Sequence, residues 1–294
     1  MNDPNRSTRI SRSAAILLGA GTVLNPAVVA AEPAVDKSAF TVLNPTPAEL
    51  MRDLSADRPD ATESPVTVDA GHIQVELSFF DFTYNSEAGQ RTDAWTVMDT
   101  NVKLGVTNDI DVQLVFAAYS QERTRMAGVT ETVEGFGDVI FRVKLNFWGN
   151  DGDAPAGLDG TALGIMPFIK IPTGTALSND HVEGGIILPF AWDITDTIGI
   201  GLMAEVDFVY DEANDEYDIE FLHSAVIGFE VFGPVGAFVE FVGVVPSNGS
   251  GYQASFIVGG TIEITPDFMI DAGVRIGVTH TDDVGFFAGM TWRY

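Results

Sequence analysis

The segment Val284-Gly-Phe-Phe-Ala-Gly-Met-Thr-Trp-Arg-Tyr294 repeats with a period of two. One face carries Phe286, Ala288, Met290, Trp292 and Tyr294; the other carries Gly285, Phe287, Gly289, Thr291 and Arg293. That spacing predicts a strand, because successive strand side chains point to opposite sides. A strand ending on a row of aromatics suits a closed sheet whose outer face meets lipid, and it suits a soluble sandwich less well. The rest of the chain decides between them.

The same alternation recurs from residue 71 onward. Ile73, Val75, Leu77 and Phe79 are interleaved with polar residues, as are Val102, Leu104 and Val106, then Ile110, Val112, Leu114, Phe116 and Ala118. A fourth candidate sets Val139, Phe141, Val143, Leu145 and Phe147 against Asp138, Ile140, Arg142, Lys144 and Asn146. Further segments follow at 163–171, 185–193, 198–210, 221–231, 236–245, 252–264 and 268–278, before the terminal strand. The expectation is an all-β, antiparallel transmembrane barrel of about twelve strands, an even number as in bacterial single-chain barrels. Alternate connections are short (107–109, 194–197, 232–234, 265–267), and the intervening ones (85–93, 121–134, 172–181, 211–218) read as longer polar loops. Short turns at one rim and long loops at the other are the outer-membrane pattern. The stretch 149–160 breaks it, being long where a tight turn is expected.

Residues 1–31 read as a signal peptide, with Arg6, Arg9 and Arg12 before an apolar core and Val29-Ala30-Ala31 as the small-residue cleavage site. No later stretch is a long uncharged apolar run, and cysteine is absent, so neither a helical anchor nor a disulfide scaffold is expected. The formal charge of −27, or −29 without residues 1–31, argues against nucleic-acid partners. Residues 32–70 differ from the rest: they hold Pro33, Pro45, Pro47, Pro59 and Pro65 and one short helical candidate, 47–54, with Thr46 as its N-cap. They are read as a periplasmic or plug-like segment preceding a barrel at 71–294.

Four segments also carry a family resemblance. Asp57-Arg-Pro-Asp-Ala-Thr-Glu-Ser-Pro65 followed by Val68-Asp-Ala-Gly-His-Ile-Gln-Val-Glu76 is one; Gly135-Phe-Gly-Asp-Val-Ile-Phe-Arg-Val-Lys144 is another; Ile169-Lys-Ile-Pro-Thr-Gly174 is the third and Glu183-Gly-Gly-Ile-Ile-Leu-Pro-Phe190 the fourth. Together they resemble a family of outer-membrane transporters named for association with the meta-pathway of phenol degradation. The resemblance runs over residues 57–294 and implies an outer-membrane barrel in a Gram-negative envelope; it implies no particular cargo. The terminal strand is similar to those that barrel-assembly machinery reads, making that machinery an expected partner alongside outer-membrane lipid and lipopolysaccharide.

For chemistry, a barrel facing lipid puts its polar face in the lumen. The expected lining is Asp111, Gln113, Asp138, Arg142, Lys144, Glu205, Asp207, Gln253, Asp271 and Arg275, an acidic excess favouring cations or neutral polar solutes. Trp148, Trp192, Tyr210, Tyr252, Trp292 and Tyr294 fall at strand ends, where an aromatic girdle belongs. His223 and Ser224 are adjacent, so a strand points them to opposite faces, and an enzyme is not expected. The acidic loops at 211–218 and at Asp151, Asp153 and Asp159 read as solvated, since Pro155 spoils a calcium-loop pattern; no metal or cofactor is expected. The reading is a porin-like channel or transporter passing small molecules through a narrow acidic lumen. Its alternatives are a structural or surface-interaction barrel with a filled lumen and a transporter of hydrophobic compounds.

Overall fold

Strands with apolar outer faces cannot leave a backbone edge open in hydrocarbon, where no water satisfies it, and the chain solves this by closing its sheet. A computed structural model describes residues 36–212, 214–279 and 282–294; the signal-like stretch 1–31 lies outside them. The strands are β1 (Ile73–Glu87), β2 (Gln90–Thr107), β3 (Ile110–Met126), β4 (Val129–Gly135), β5 (Val139–Trp148), β6 (Thr161–Ile171) and β7 (Glu183–Thr195). They continue as β8 (Ile198–Asp211), β9 (Glu216–Phe232), β10 (Val235–Pro246), β11 (Gln253–Thr265), β12 (Phe268–Thr279) and β13 (Val284–Arg293). Neighbours pair antiparallel, and β13 returns to β1 with Val75 opposite Trp292 and Leu77 opposite Met290. Backbone bonds between Ile73 and Tyr294, at 3.0 and 2.8 Å, finish the seam. β4 lies against the far half of β3 and β5 against its near half. They are two pieces of one stave, so the wall is a closed barrel of twelve.

Alternation sorts the side chains. Phe141, Ile169, Leu188, Leu202, Ile227, Val258 and Ile276 point outward and are exposed, while Lys103, Asp111, Lys144, Glu240 and Thr291 point inward and are buried. An apolar exterior around a polar interior inverts a soluble domain and is the membrane-barrel arrangement. The rim holding Tyr294 and the turns after β2, β7, β9 and β11 is the periplasmic one. The long 149–160 connection is at that rim too.

Two of the four expected outer loops are corrected. The connections at 85–93 and 121–134 are two-residue hairpins, Ala88-Gly89 and Ala127-Gly128, each with both residues at positive φ. Positive φ at both positions marks a type I′ turn, whose twist matches that of the flanking strands. The polar stretches around them are strand: β2 has 18 residues, about 60 Å of chain, far more than a barrel needs to cross the bilayer. The polarity that suggested a loop belongs to sheet standing outside the membrane. The helical candidate at 47–54 is also corrected. Only one 3-10 turn forms, Ala48–Leu50, with Pro47 at its N-cap and no side-chain cap from Thr46. Arg52 instead spends its backbone N–H on Asp69 at 3.0 Å, so tertiary contacts hold the chain extended there.

A line of irregularities crosses the wall where the two halves meet. β1 shifts register between Ser78 and Phe80, β2 holds Met98 at φ 54°, and the β4–β5 stave is broken at 136–138. The bulges invert the alternation, so that Asp99 faces in below the line and Trp95 faces out above it.

Because the outer band meets lipid, Val258→Arg is expected to destabilise the barrel by about 2–4 kcal/mol in a bilayer. Denaturant unfolding in liposomes checks this; a change under about 0.5 kcal/mol would place Val258 in water.

Candidate functional site: the occupied interior

A twelve-strand ring encloses more space than its own inward side chains fill, and here residues 52–70 run through it. The contacts are polar and reach many staves. Asp57 donates its N–H to Glu76 of β1 at 2.8 Å and accepts from Lys144 of β5 at 2.6 and 2.9 Å. Lys103 of β2 pairs with both Asp57 and Glu76, all three buried. Arg58 grips Asp271 of β12 with two bonds, 3.1 and 2.7 Å, and also reaches Ser78. Across the ring Ala61 N–H donates to Glu240 of β10 at 2.7 Å, and the Thr62 hydroxyl meets Glu240 and Ser224 of β9 at 2.6 Å each. Glu63 pairs with Arg142 at 2.7 Å.

Inward glycines make the room. A Cβ on Gly105 would strike the Asp69 carbonyl, one on Gly289 would strike Arg58, and one on Gly201 would come within 3.0 Å of Thr62. These glycines serve close approach of a second backbone. At the periplasmic end Arg52 donates to the Thr67 and Asn108 carbonyls at 2.8 and 3.0 Å, and Lys37 pairs with Asp151 at 2.7 Å. Burial works to raise the Asp151 carboxyl; the Lys37 ammonium, the Arg52 guanidinium and the Asn108 amide overcome it and hold it below its ordinary value.

Asp60 is different. It is 0 % exposed, and neither of its carboxylate oxygens has a hydrogen-bond partner. Nearby carboxylates include Glu240 and Glu63. A buried polar group without a partner is costly, so this is the weak point of the packed segment.

The interior is two-sided, which the alternation did not show. Met166, Ile187, Met203, Leu222, Val226, Phe238, Val242 and Ile257 also face inward and form, with Ala61, one apolar cluster on the β6–β11 side. Lys103, Arg142 and Lys144 are buried on the β1–β5 side, with the Glu240 and Asp271 carboxylates across the ring. An interior lined throughout by polar residues is therefore corrected.

The residues singled out from the sequence fall as follows. Asp111 accepts the Val68 N–H at 3.1 Å and the Gln113 amide at 3.0 Å, and Arg142, Lys144 and Asp271 bind the segment directly. Arg275 pairs with Asp81 at 3.2 Å. Glu205 and Asp207 interact with each other on β8, Asp138 accepts from Thr173 at the outer rim, and Gln253 is half-buried at the start of β11. Among the aromatics, Trp192, Trp292 and Tyr294 are exposed at the periplasmic rim and Tyr252 at the other. Trp148 is half-buried and donates to Thr161 at 3.0 Å; Tyr210 stacks on His181 at 3.4 Å. Asp57, Arg58, Asp60, Thr62, Glu63, Lys103 and Glu240 were not singled out as site residues. For those of the segment the signal was local: Asp57, Arg58, Asp60 and Glu63 crowd around Pro59 and ahead of Pro65, too charged for a strand and too short for a disordered tail.

His223 faces outward and bonds the Tyr252 hydroxyl at 3.1 Å, while Ser224 faces inward onto Thr62, so the two share no site. Among the described residues no group of three or more His, Asp or Glu is placed to hold a metal; Asp153 accepts the Gly149 N–H at 2.6 Å.

The chain belongs to the family of the MetA-pathway of phenol degradation, whose model matches residues 56–294. No curated protein sequence matches it. Among solved structures it is similar to an outer-membrane channel from Pseudomonas putida F1, at 10% identity and a TM-score of 0.59, over 81% of this chain and 99% of that one. The β domain of the Bordetella autotransporter BrkA gives 12% identity and a TM-score of 0.49, covering 75% and 98%. The fold is that of outer-membrane barrels, and this is an outer-membrane protein.

Three outcomes follow from the packing. Lys103→Met removes the cation that two buried carboxylates share and is expected to loosen residues 52–70 by about 3–5 kcal/mol, read as faster amide hydrogen exchange there. Asp60→Asn replaces the unpartnered carboxyl by an amide that can donate to the neighbouring carboxylates and is expected to tighten the same amides by about 1–3 kcal/mol; loosening would show the carboxyl to be satisfied. Because the Asp151 carboxyl is depressed in the folded state, its contribution is complete above the ordinary value of about 3.9 and is lost as pH falls through the lowered one. Exchange at residues 36–52 should therefore quicken on acidification below about pH 4, and Asp151→Asn should abolish that change.

Proposed function

We propose that this protein passes small molecules across the outer membrane through a narrow lumen, and that residues 52–70 are its stopper. The observation that carries the reading is the chemistry of the contacts. The segment is held by ion pairs and hydrogen bonds, such as Arg58–Asp271 and Lys144–Asp57, and by glycine clearances, not by a continuous apolar core. Buried ion pairs add little net stability over their hydrated forms, because desolvation offsets the attraction. Water entering the lumen can therefore take over these contacts one by one, as it could not for a packed apolar filling. A purely structural barrel has no need of a wall cut away to admit a second backbone.

With the stopper displaced, Asp111, Glu205, Asp207 and Glu240 would border the path. That acidic lining favours cations and neutral polar solutes over anions. A second reading has its own support. The apolar inner flank of Met166, Ile187, Phe238 and Ile257 would suit hydrophobic compounds sliding along one side. Transport and not catalysis is the role that fits, since the adjacent His223 and Ser224 face opposite ways.

Planar-bilayer recording under a salt gradient tests this. The intact protein is expected to be closed with rare brief steps, and a variant lacking residues 52–66 to show steady, cation-selective steps. Neutralising Asp111, Glu205 and Asp207 in that variant should move the reversal potential toward zero. Silence from a folded, stopperless barrel would refute the pore; steps without charge selectivity would favour the apolar path.

A further inference from the structure

Arg91, Arg123 and Arg125 stand together on the outward face of the β2–β3 hairpin, beyond the line of bulges. Alternation fixes the face: Thr96 and Ser120 share a hydrogen bond at 3.1 Å inside the wall, so Trp95, Asp93 and Arg91 on β2 and Gln121, Arg123 and Arg125 on β3 point out. Register places Arg91 directly opposite Arg125, and Asp93 opposite Arg123. Asp93 pairs with Arg91 at 3.0 Å and also with Arg125. Arg123 donates to a neutral amide oxygen, that of Gln121, at 3.5 Å. Like charges facing each other across a strand pair are a cost, and one aspartate does not balance three guanidinium groups. Glu134, the other carboxylate on this face, is lower on the wall and accepts from the Tyr119 hydroxyl at 3.0 Å and from Gln121 at 2.7 Å.

The cluster is unusual for this chain, whose formal charge is −27. Every other Lys or Arg among the described residues is turned into the barrel or held at the periplasmic rim, as Lys103, Arg142 and Arg293 are. Its height is set by the aromatics beneath it. Phe82 and Trp95 touch outside the wall with ring centroids 4.4 Å apart, and the Arg91 guanidinium lies 4.9 Å from the centre of the Tyr84 ring. Aromatic side chains of this kind sit at the membrane interface. From Trp95 to Arg91 is four residues of tilted strand, a climb of roughly 10 Å. The guanidinium groups therefore lie just beyond the acyl region of the outer leaflet, facing sideways into the lipid headgroups.

We propose that Arg91, Arg123 and Arg125 form a binding site for the phosphate groups of lipopolysaccharide, which forms that leaflet. Guanidinium groups suit it because they stay charged and offer paired donors to phosphate oxygens. The Thr130 and Thr132 hydroxyls, opposite Arg125 and Arg123 on β4, belong to the same face and can add neutral donors. Asp93 bridges two of the arginines when no phosphate is bound.

The test is titration of the detergent-solubilised full protein with bisphosphorylated lipid A, with the same lipid A after dephosphorylation, and with phosphatidylglycerol. Binding of the first and at least about tenfold weaker binding of the other two is expected. A charged residue near an anionic lipid surface is worth about fivefold in affinity. So Arg123→Gln should weaken lipid A binding about fivefold, and the triple change R91Q/R123Q/R125Q about a hundredfold. Asp93→Asn, which removes the opposing charge, should bind as tightly or more tightly. Arg123→Gln leaves both Asp93 pairs intact and carries the test if the triple variant does not fold. Equal binding of dephosphorylated lipid A, of phosphatidylglycerol, or of lipid A by Arg123→Gln would overturn the proposal.

Discussion

A backbone crossing hydrocarbon must satisfy every N–H and C=O from within, and the rest of this structure follows from that constraint. It forces the sheet to close, which is why the terminal strand β13 pairs with β1 and why Ile73 and Tyr294 bond at the seam. Closure then fixes the faces. Apolar side chains such as Leu202 and Val258 go to lipid, and whatever else the strands carry is turned inward. A twelve-strand ring is too wide for those inward side chains to fill alone. Charged groups enclosed in it must find partners, and the partners come from residues 52–70: Asp57 for Lys103 and Lys144, Arg58 for Asp271, Glu63 for Arg142.

The interior divides accordingly. On the β1–β5 side the wall supplies cations and the segment supplies carboxylates, an arrangement that water can replace. On the β6–β11 side Ala61 rests on an apolar cluster that water does not replace. The proposed stopper is thus fastened on one flank by ion pairs, and on the other by apolar packing together with the hydrogen bonds of Ala61 and Thr62 to Glu240 and Ser224. Asp60 sits where the two meet, its oxygens unpaired. A buried carboxylate without a partner raises the free energy of the occupied state, which makes that state easier to leave.

Much of the barrel was legible in the sequence because a period of two is a strong signal when one face is uniformly apolar. β5 shows it over its whole length, with Arg142 and Lys144 on the face that turns inward. Legibility failed where the physical reason for the pattern lapsed. Above the bulges at Phe80 and Met98 the strands leave the bilayer, their outer face becomes polar, and Trp95, Arg91 and Arg125 resemble loop residues. Ala88-Gly89 and Ala127-Gly128 gave weak turn signals, since an alanine occupies the first position of a type I′ turn in each. The inward apolar cluster was invisible for another reason: Ile187 and Ile257 follow apolar neighbours, so nothing in their local pattern tells lipid from lumen. The partners of Asp57 and Glu240 are distant in sequence, and only the closed ring brings them together.

The place of residues 52–70 can be fixed most directly by a covalent lock. The chain has no cysteine, and the Thr62 and Ser224 hydroxyl oxygens are 2.6 Å apart across the lumen. A T62C/S224C protein, oxidised in the outer membrane and recorded in a planar bilayer, should form the disulfide without added strain on the barrel and stay closed. Reduction should restore whatever openings the unmodified protein shows. Failure of the two cysteines to join in a folded barrel, or unchanged conductance with the disulfide formed, would contradict a stopper seated in the pore.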